Sequence, residues 1–213
     1  MTKINDIIPE GDYKLAFPDP PKREINILRF STEAYKKMVL YNAARALQFK
    51  GGEQSFIIDK YNTTVINQLY LYLVGSPDFD GNLNNGIILI GKIGSGKTLL
   101  MRIFVDIVLC CINKNIHWIH SKDIESTVIA NGQDYYKNRP ICIDDIGKEQ
   151  EQIKDFGTTR KPFEDLISYR YGKQNITFGT SNLTLEDMPY SYHTKDRLRE
   201  ICNIMILDGG SRR

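Results

Sequence analysis

Residues Gly91-Lys92-Ile93-Gly94-Ser95-Gly96-Lys97-Thr98 spell G-x-x-x-x-G-K-[ST] in full. Each position has a physical task. Glycines let successive backbone N–H groups turn inward around phosphate oxygens without a side-chain clash. A helix opening near Gly96 would add the positive end of its dipole. Lys97 is then expected to reach the β- and γ-phosphates, and the Thr98 hydroxyl to bind Mg²⁺. An apolar run, Ile87–Ile90, enters the turn, and an amphipathic segment leaves it. The expected nucleotide-contacting set is Gly91, Ile93, Gly94, Ser95, Gly96, Lys97, Thr98 and Leu99, with ATP and Mg²⁺ as ligands.

Three further stretches carry chemistry. In "ICIDD" (141–145) an apolar strand ends in two acids at its carboxyl edge, where parallel sheets bind ligands. Asp144 is expected to hold Mg²⁺ through water, and Asp145 to polarise the attacking water. "TSN" (180–182) ends another strand, and Asn182 there would orient that water near the γ-phosphate. "TKDRLRE" supplies Arg197 and Arg199 before the last strand. They read either as an arginine finger lent to a neighbouring subunit or as solvated helix charges in Arg–Glu pairs. In "KPFEDLISYRYGK", Pro162, Glu164 and Asp165 suit a first helical turn. Phe163, Leu166, Ile167 and Tyr171 form an apolar stripe on which Arg170 also falls. Arg170 is either a cation snorkelling from a helix edge or a buried one near a phosphate or subunit contact.

These residues need a scaffold. "IILI" (87–90), "IHWIH" (116–120), "ICID" (141–144), "ITFGT" (176–180) and "IMIL" (204–207) are strand-like, and helical segments separate most of them. That alternation predicts an α/β fold, a parallel sheet with helices on both faces. Upstream, residues 1–30 read as an extended arm. Ser31 is expected to cap a helix to about Lys50, closed by Gly51-Gly52, with Tyr35, Met38, Val39, Ala43, Ala46 and Leu47 on its apolar face. "SFIID" reads as a short strand or turn. Asn62 would cap a second helix burying Val65, Ile66, Leu69, Tyr70 and Leu73.

The chain has 213 residues, of which 41% are hydrophobic and 25% charged, with a net charge of +2. A packed core is expected, and wholesale disorder is not. The near-neutral balance decides nothing about nucleic acid. Cys110, Cys111, Cys142 and Cys202 lack metal-ligand spacing and read as small buried hydrophobes in a reducing compartment. No apolar run reaches membrane-spanning length, and the N-terminus has no signal core, so the expected location is cytoplasmic.

Taken in order, "GKIGSGKT", "CIDDIGKE", "FGTTRKPFEDLISYRYGKQNITFGTSNL" and "DRLREICNIMILDG" resemble AAA+ ATPases, most of all the branch of DnaC-type helicase loaders and IstB-type transposition ATPases. The resemblance covers about residues 56–208. It implies a P-loop NTPase with a five-stranded parallel sheet, the 87–90 strand central and the 141–144 strand two places away. It also implies an AAA+ domain over 56–213, a small N-terminal helical extension over 1–55 that binds a partner, and no C-terminal lid domain. By the same resemblance Lys97 and Thr98 bind phosphate and Mg²⁺, Asp144 and Asp145 are the metal acid and the water-activating acid, Asn182 is the first sensor, and Arg197 is the finger acting in trans. ATP would then sit between subunits of a homo-oligomer. Asp145 stands where many relatives carry Glu, which implies slow or partner-stimulated hydrolysis.

Three functions follow as expectations. The first is an ATP-hydrolysing loader of a replicative helicase in DNA replication, with Tyr35, Tyr41 and Phe49 as candidate anchors. The second is a mobile-element ATPase with a transposase as partner. The third is a nucleotide-dependent binding switch with negligible hydrolysis. Single-stranded DNA would meet Lys137, Arg139, Arg160, Lys161, Lys173, Arg212 and Arg213, with Tyr135 and Tyr136 stacking on bases.

Overall fold

Five parallel strands are laid side by side between two groups of helices. The structure is a computed structural model that describes residues 23–48, 55–126, 139–149, 153–155 and 158–211. In chain order the elements are a 3-10 turn Glu24–Ile27, α1 Thr32–Gln48, α2 Thr63–Val74, β1 Gly86–Ile90, α3 Lys97–Ile112, β2 His117–His120, a 3-10 turn Ser121–Asp123, β3 Ile141–Ile146, β4 Ile153–Asp155, β5 Thr158–Arg160, α4 Pro162–Gly172, β6 Thr177–Ser181, α5 Tyr192–Ile201 and β7 Cys202–Ile206. The sheet order is β2-β3-β6-β1-β7, and β4-β5 is a separate antiparallel hairpin.

All five expected strands are present, and β3 lies two places from β1. The middle strand is β6, however, not the 87–90 strand, which stands second from the edge. The pairing that sets this order is β6 with β1 on one side and with β3 on the other, and the backbones approach closely on both sides. Both neighbours of β6 pass close to it at glycine: a Cβ on Gly86 would stand 1.7 Å from the Thr177 carbonyl oxygen, and one on Gly179 would stand 2.8 Å from the Ile143 carbonyl.

Strand alternation feeds two cores. Ile87 and Leu89 of β1, Cys142 of β3 and Phe178 of β6 join α1, α2 and α3 on one face. Ile88 and Ile90, Ile141 and Ile143 join Phe163, Leu166 and Ile167 of α4 and Leu198 of α5 on the other. Strands buried on both faces are mostly apolar, which is why they read as near-continuous runs.

Ser31 caps α1 as expected, its Oγ accepting from the Ala34 amide at 3.2 Å. Helix α1 is tied to α3 by an Arg45–Asp106 pair at 3.2 Å, and its buried stripe enters the same core. Tyr35 is therefore not an exposed anchor. It is buried and stacked on Phe30, with centroids 5.8 Å apart. Tyr41 on the opposite face is exposed. Asn62 precedes α2 but does not cap it through its side chain. Its Oδ1 accepts from the Asp59 amide and its Nδ2 donates to the Ile57 carbonyl, closing a turn rather than a strand over "SFIID". Cys142 and Cys202 are buried, whereas Cys110 and Cys111 are exposed on the outer side of α3, contrary to expectation. Among the described residues no helix is long and apolar enough to cross a membrane. Gly51-Gly52, Phe49, Tyr135, Tyr136, Lys137, Arg212 and Arg213 lie outside the described residues.

Candidate functional site

Adjacent residues of a strand point to opposite faces, so Asp144 and Asp145 cannot both serve one cleft on a regular strand. The structure resolves this with a bulge. Ile143 pairs with Gly179 and Ile146 with Ser181, so β3 spends an extra residue opposite Thr180. Asp145 takes a left-handed φ of 59°, which costs about 1 kcal/mol for a non-glycine residue. Its backbone is held in return: its N–H donates to Thr180 Oγ1 at 3.0 Å, and its carbonyl accepts from Ser121 Oγ at 2.8 Å. Bulges beside sites re-aim side chains in this way.

Thr180 thus acts as the hinge pin of the site. Its hydroxyl also donates to Asp144 Oδ1 at 2.6 Å, and the same oxygen accepts from Thr98 Oγ1 at 3.0 Å. Lys97 is nearly buried, and its ammonium donates to the carbonyls of Gly91 at 2.7 Å and Lys92 at 2.8 Å and to Asn182 Oδ1 at 2.9 Å. Asn182 Nδ2 donates to Asp145 Oδ1 at 3.1 Å, so one amide joins the loop lysine to the second acid. Asp145 Oδ2 takes Lys148 Nζ at 2.9 Å and lies 3.6 Å from His120 Nε2. Burial alone would raise the Asp145 carboxyl, but Lys148, His120 and Asn182 together hold it below the usual carboxylate range.

The glycine loop wraps the mouth of a cleft of about 520 Å³. Gly94 and Gly96 have φ of 83° and 100°, a conformation that the loop can adopt only with glycine there. Ser95 Oγ is buried with no hydrogen-bond partner among the described residues, and Ile93 is exposed at the rim. The opposite wall is built by Phe56, Ile57, Asp59 and Tyr61 ahead of α2 and by Gly210 and Ser211 after β7.

The expected residues Gly91 to Leu99, Asp144, Asp145 and Asn182 are therefore together at the carboxyl ends of β1, β3 and β6. Arg197 is not with them. It lies on α5, where its guanidinium donates to Ser168 Oγ at 2.8 Å and stands 5.5 Å from the Tyr171 ring centroid. Arg199 pairs with Glu186 at 2.9 Å. Arg170 is fully buried and belongs to the far, amino-terminal end of the sheet. It donates to Thr177 Oγ1, to the Arg139 carbonyl and to the Ile176 carbonyl. Neither snorkelling nor a phosphate contact describes it; it clasps the entries to β3 and β6. Burial draws its guanidinium down to about 10, so it stays charged at neutral pH. The candidate basic surface is also divided within the chain: Arg139 and Lys173 flank that same end, while Lys161 opens α4 at the opposite one, paired to Glu164 at 2.8 Å.

Sequence reasoning missed Thr180, Lys148, His120 and the Phe56–Tyr61 wall. Thr180 had a signal, a hydroxyl in a strand buried along its whole length, which must find a partner.

No protein-family model and no curated protein sequence matches the chain. Solved structures do. A candidate primosome component from Streptococcus pyogenes serotype M3 superposes with a TM-score of 0.56 at 19% identity over 74% of this chain and 85% of that one. The DnaC helicase loader gives 0.55 at 18% identity over 73% of this chain and 95% of that one. The chain has the fold of the AAA+ helicase loaders. The replication initiator DnaA, bound to AMPPCP and single-stranded DNA, shares this AAA+ fold with a TM-score of 0.53 at 16% identity, over 73% of this chain and 49% of that one. Within the fold, the glycine loop, the bulged acids and Asn182 converge at the sheet's carboxyl edge.

Proposed function

We propose that the protein binds ATP with Mg²⁺ in this cleft, hydrolyses it, and acts on a replicative helicase in DNA replication. The observation that carries the reading is the convergence of Lys97, Thr98, Asp144, Asp145 and Asn182, drawn from three strand ends, on a fold shared with helicase loaders. The loop's positive-φ glycines and the orphaned Ser95 hydroxyl suit a phosphate chain. Thr98 Oγ1 and Asp144 Oδ1 are hard oxygen donors in contact, a pair that fits Mg²⁺. Those two residues would hold the ion, which when bound supplies charge neutralisation to the β- and γ-phosphates.

The chain's own residues do the rest. Lys97 leaves its carbonyl partners for the phosphates. Asn182, fixed between Lys97 and Asp145, orients the attacking water, and Asp145 polarises it. Phosphoryl transfer is loose, so positioning and charge dominate over proton abstraction. An Asp in that role is consistent with slow basal turnover. Arg197, held away from its own cleft by Ser168, suits service to a neighbouring subunit's nucleotide. The outer face of α1, with Tyr41 and Leu40 exposed, is the candidate contact for the helicase.

Lys97→Ala tests the core of this. Equilibrium ATP binding and turnover are measured with and without helicase, and both are expected to collapse. Wild-type ATP affinity and turnover in that variant would refute the reading. Recovery of a replicative helicase with the ATP-bound protein from source cells tests the partner.

A further inference from the structure

The acid that would face the attacking water is already engaged on both oxygens. Asp145 Oδ1 accepts from Asn182, and Oδ2 holds the Lys148 ammonium at 2.9 Å with His120 3.6 Å away. A carboxylate activates water by offering it a lone pair and by drawing its proton; an ammonium on the outer oxygen weakens both.

Lys148 is built to sit there. It follows the bulge by three residues, and its own amide donates to the Asp145 carbonyl at 3.2 Å, so the lysine and the acid ride on one turn. Its side chain is 43% exposed, so the ammonium is paired at the edge of solvent rather than locked in the core. It borders two spaces. One is the nucleotide cleft; the other is a cavity of about 310 Å³ whose wall carries Glu125, Glu149, Ser121 and Phe163. On that second wall Glu149 is already taken, by the Gly147 amide and the Tyr190 hydroxyl, whereas Glu125 is a second carboxylate bordering the same space as Lys148.

We propose that Lys148 is a positioning residue that restrains Asp145. With its ammonium on Oδ2 the carboxylate is charge-paired and hydrolysis is slow; with the ammonium withdrawn toward solvent and the Glu125 side of the cavity, that oxygen of Asp145 is released to the water. This rests on the reading of Asp145 as the water-facing acid.

The test uses the full chain with Mg²⁺ and labelled ATP, under single-turnover conditions with protein in excess. Lys148→Met is expected to raise the hydrolysis rate about two- to fivefold, the range an exposed ion pair can supply, with ATP and ADP affinities within about twofold of wild type. Lys148→Arg, which keeps the charge, should show less than half of that gain. In the Asp145→Asn background, Lys148→Met should add nothing. An unchanged or slower rate in Lys148→Met with intact nucleotide binding overturns the proposal, as does a gain that persists in the Asp145→Asn background. Wild-type turnover in Asp145→Asn alone removes the underlying reading instead, and bound ATP that neither wild type nor Lys148→Met hydrolyses removes both.

Discussion

Replacing Thr180 with Val isolates the pin of the site. The two side chains have nearly the same volume, so no cavity opens, and Thr180 is fully buried, so water cannot replace its hydroxyl. Two interactions vanish together. Asp144 Oδ1 loses a donor at 2.6 Å, a hydrogen bond to a charged group worth about 1.5–3 kcal/mol. The Asp145 amide loses its acceptor at 3.0 Å, leaving a part-buried N–H unpaired at about 1–3 kcal/mol. The terms share one hydroxyl and are not additive, so the expected cost is about 2–4 kcal/mol. For a chain of this length that lowers the melting temperature by about 4–16 °C. The bulge is also expected to loosen, so the Mg²⁺ dependence of ATP binding should weaken more than binding without Mg²⁺. Thermal melts and ATP titrations with and without Mg²⁺, alongside Thr180→Ser as the hydroxyl-keeping control, measure both. Refutation is a Thr180→Val protein that melts within about 1 °C of wild type and keeps its full Mg²⁺ response.

Two further outcomes are expected elsewhere. Arg170→Met removes a buried cation that donates to Thr177, Arg139 and Ile176 and should cost about 3–5 kcal/mol, seen as a melting temperature lower by about 6–20 °C; Arg170→Lys should not restore it, because an ammonium cannot reproduce the planar fork. Glu164 is held down to about 2: burial raises it, but Lys161, Ser191 and Thr194 donate to the charged form and prevail. Its folded value lies below the unfolded one, so its stabilisation is full above about pH 5 and disappears as pH falls toward 2. The gap in melting temperature between wild type and Glu164→Gln should therefore be largest near neutrality and close with acid, and a pH-independent gap would contradict the assignment.

The glycine loop was legible because its backbone conformation dictates its residue types. Only glycine sits comfortably at the φ values of Gly94 and Gly96, so geometry constrains residue type directly. The two faces of the sheet were legible for a similar reason, since strands covered on both sides are mostly apolar and admit polar residues only where they find partners. Strand order was less so. Nothing local to "IILI" says which runs flank it, and that β6 is central is seen only in its pairing with both β1 and β3. Arg170 and Tyr35 were left open between exposed and buried readings on the same ground. A cation or an aromatic on an apolar stripe looks alike whether it ends in water or in protein, and the deciding partners, Thr177 for one and Phe30 and Tyr70 for the other, come from other segments.

The acids show the limit most sharply. The resemblance assigned separate roles to Asp144 and Asp145, but a plain strand would turn one of them away from the cleft. What makes both usable is an irregularity, the bulge between Ile143 and Ile146, and what holds the irregularity is a threonine on the adjacent strand and a serine after β2. Neither partner is adjacent in sequence to the acids it serves. The bulge in turn fixes where Lys148 emerges, one turn on, with its ammonium on the outer oxygen of Asp145. A sequence with the same acids but without a hydroxyl at position 180 would carry the motif and lose the geometry. The structural unit is therefore the acids with their bulge and its pins, and on the proposed reading substitutions at Thr180 and Ser121 should register in nucleotide chemistry as well as in stability.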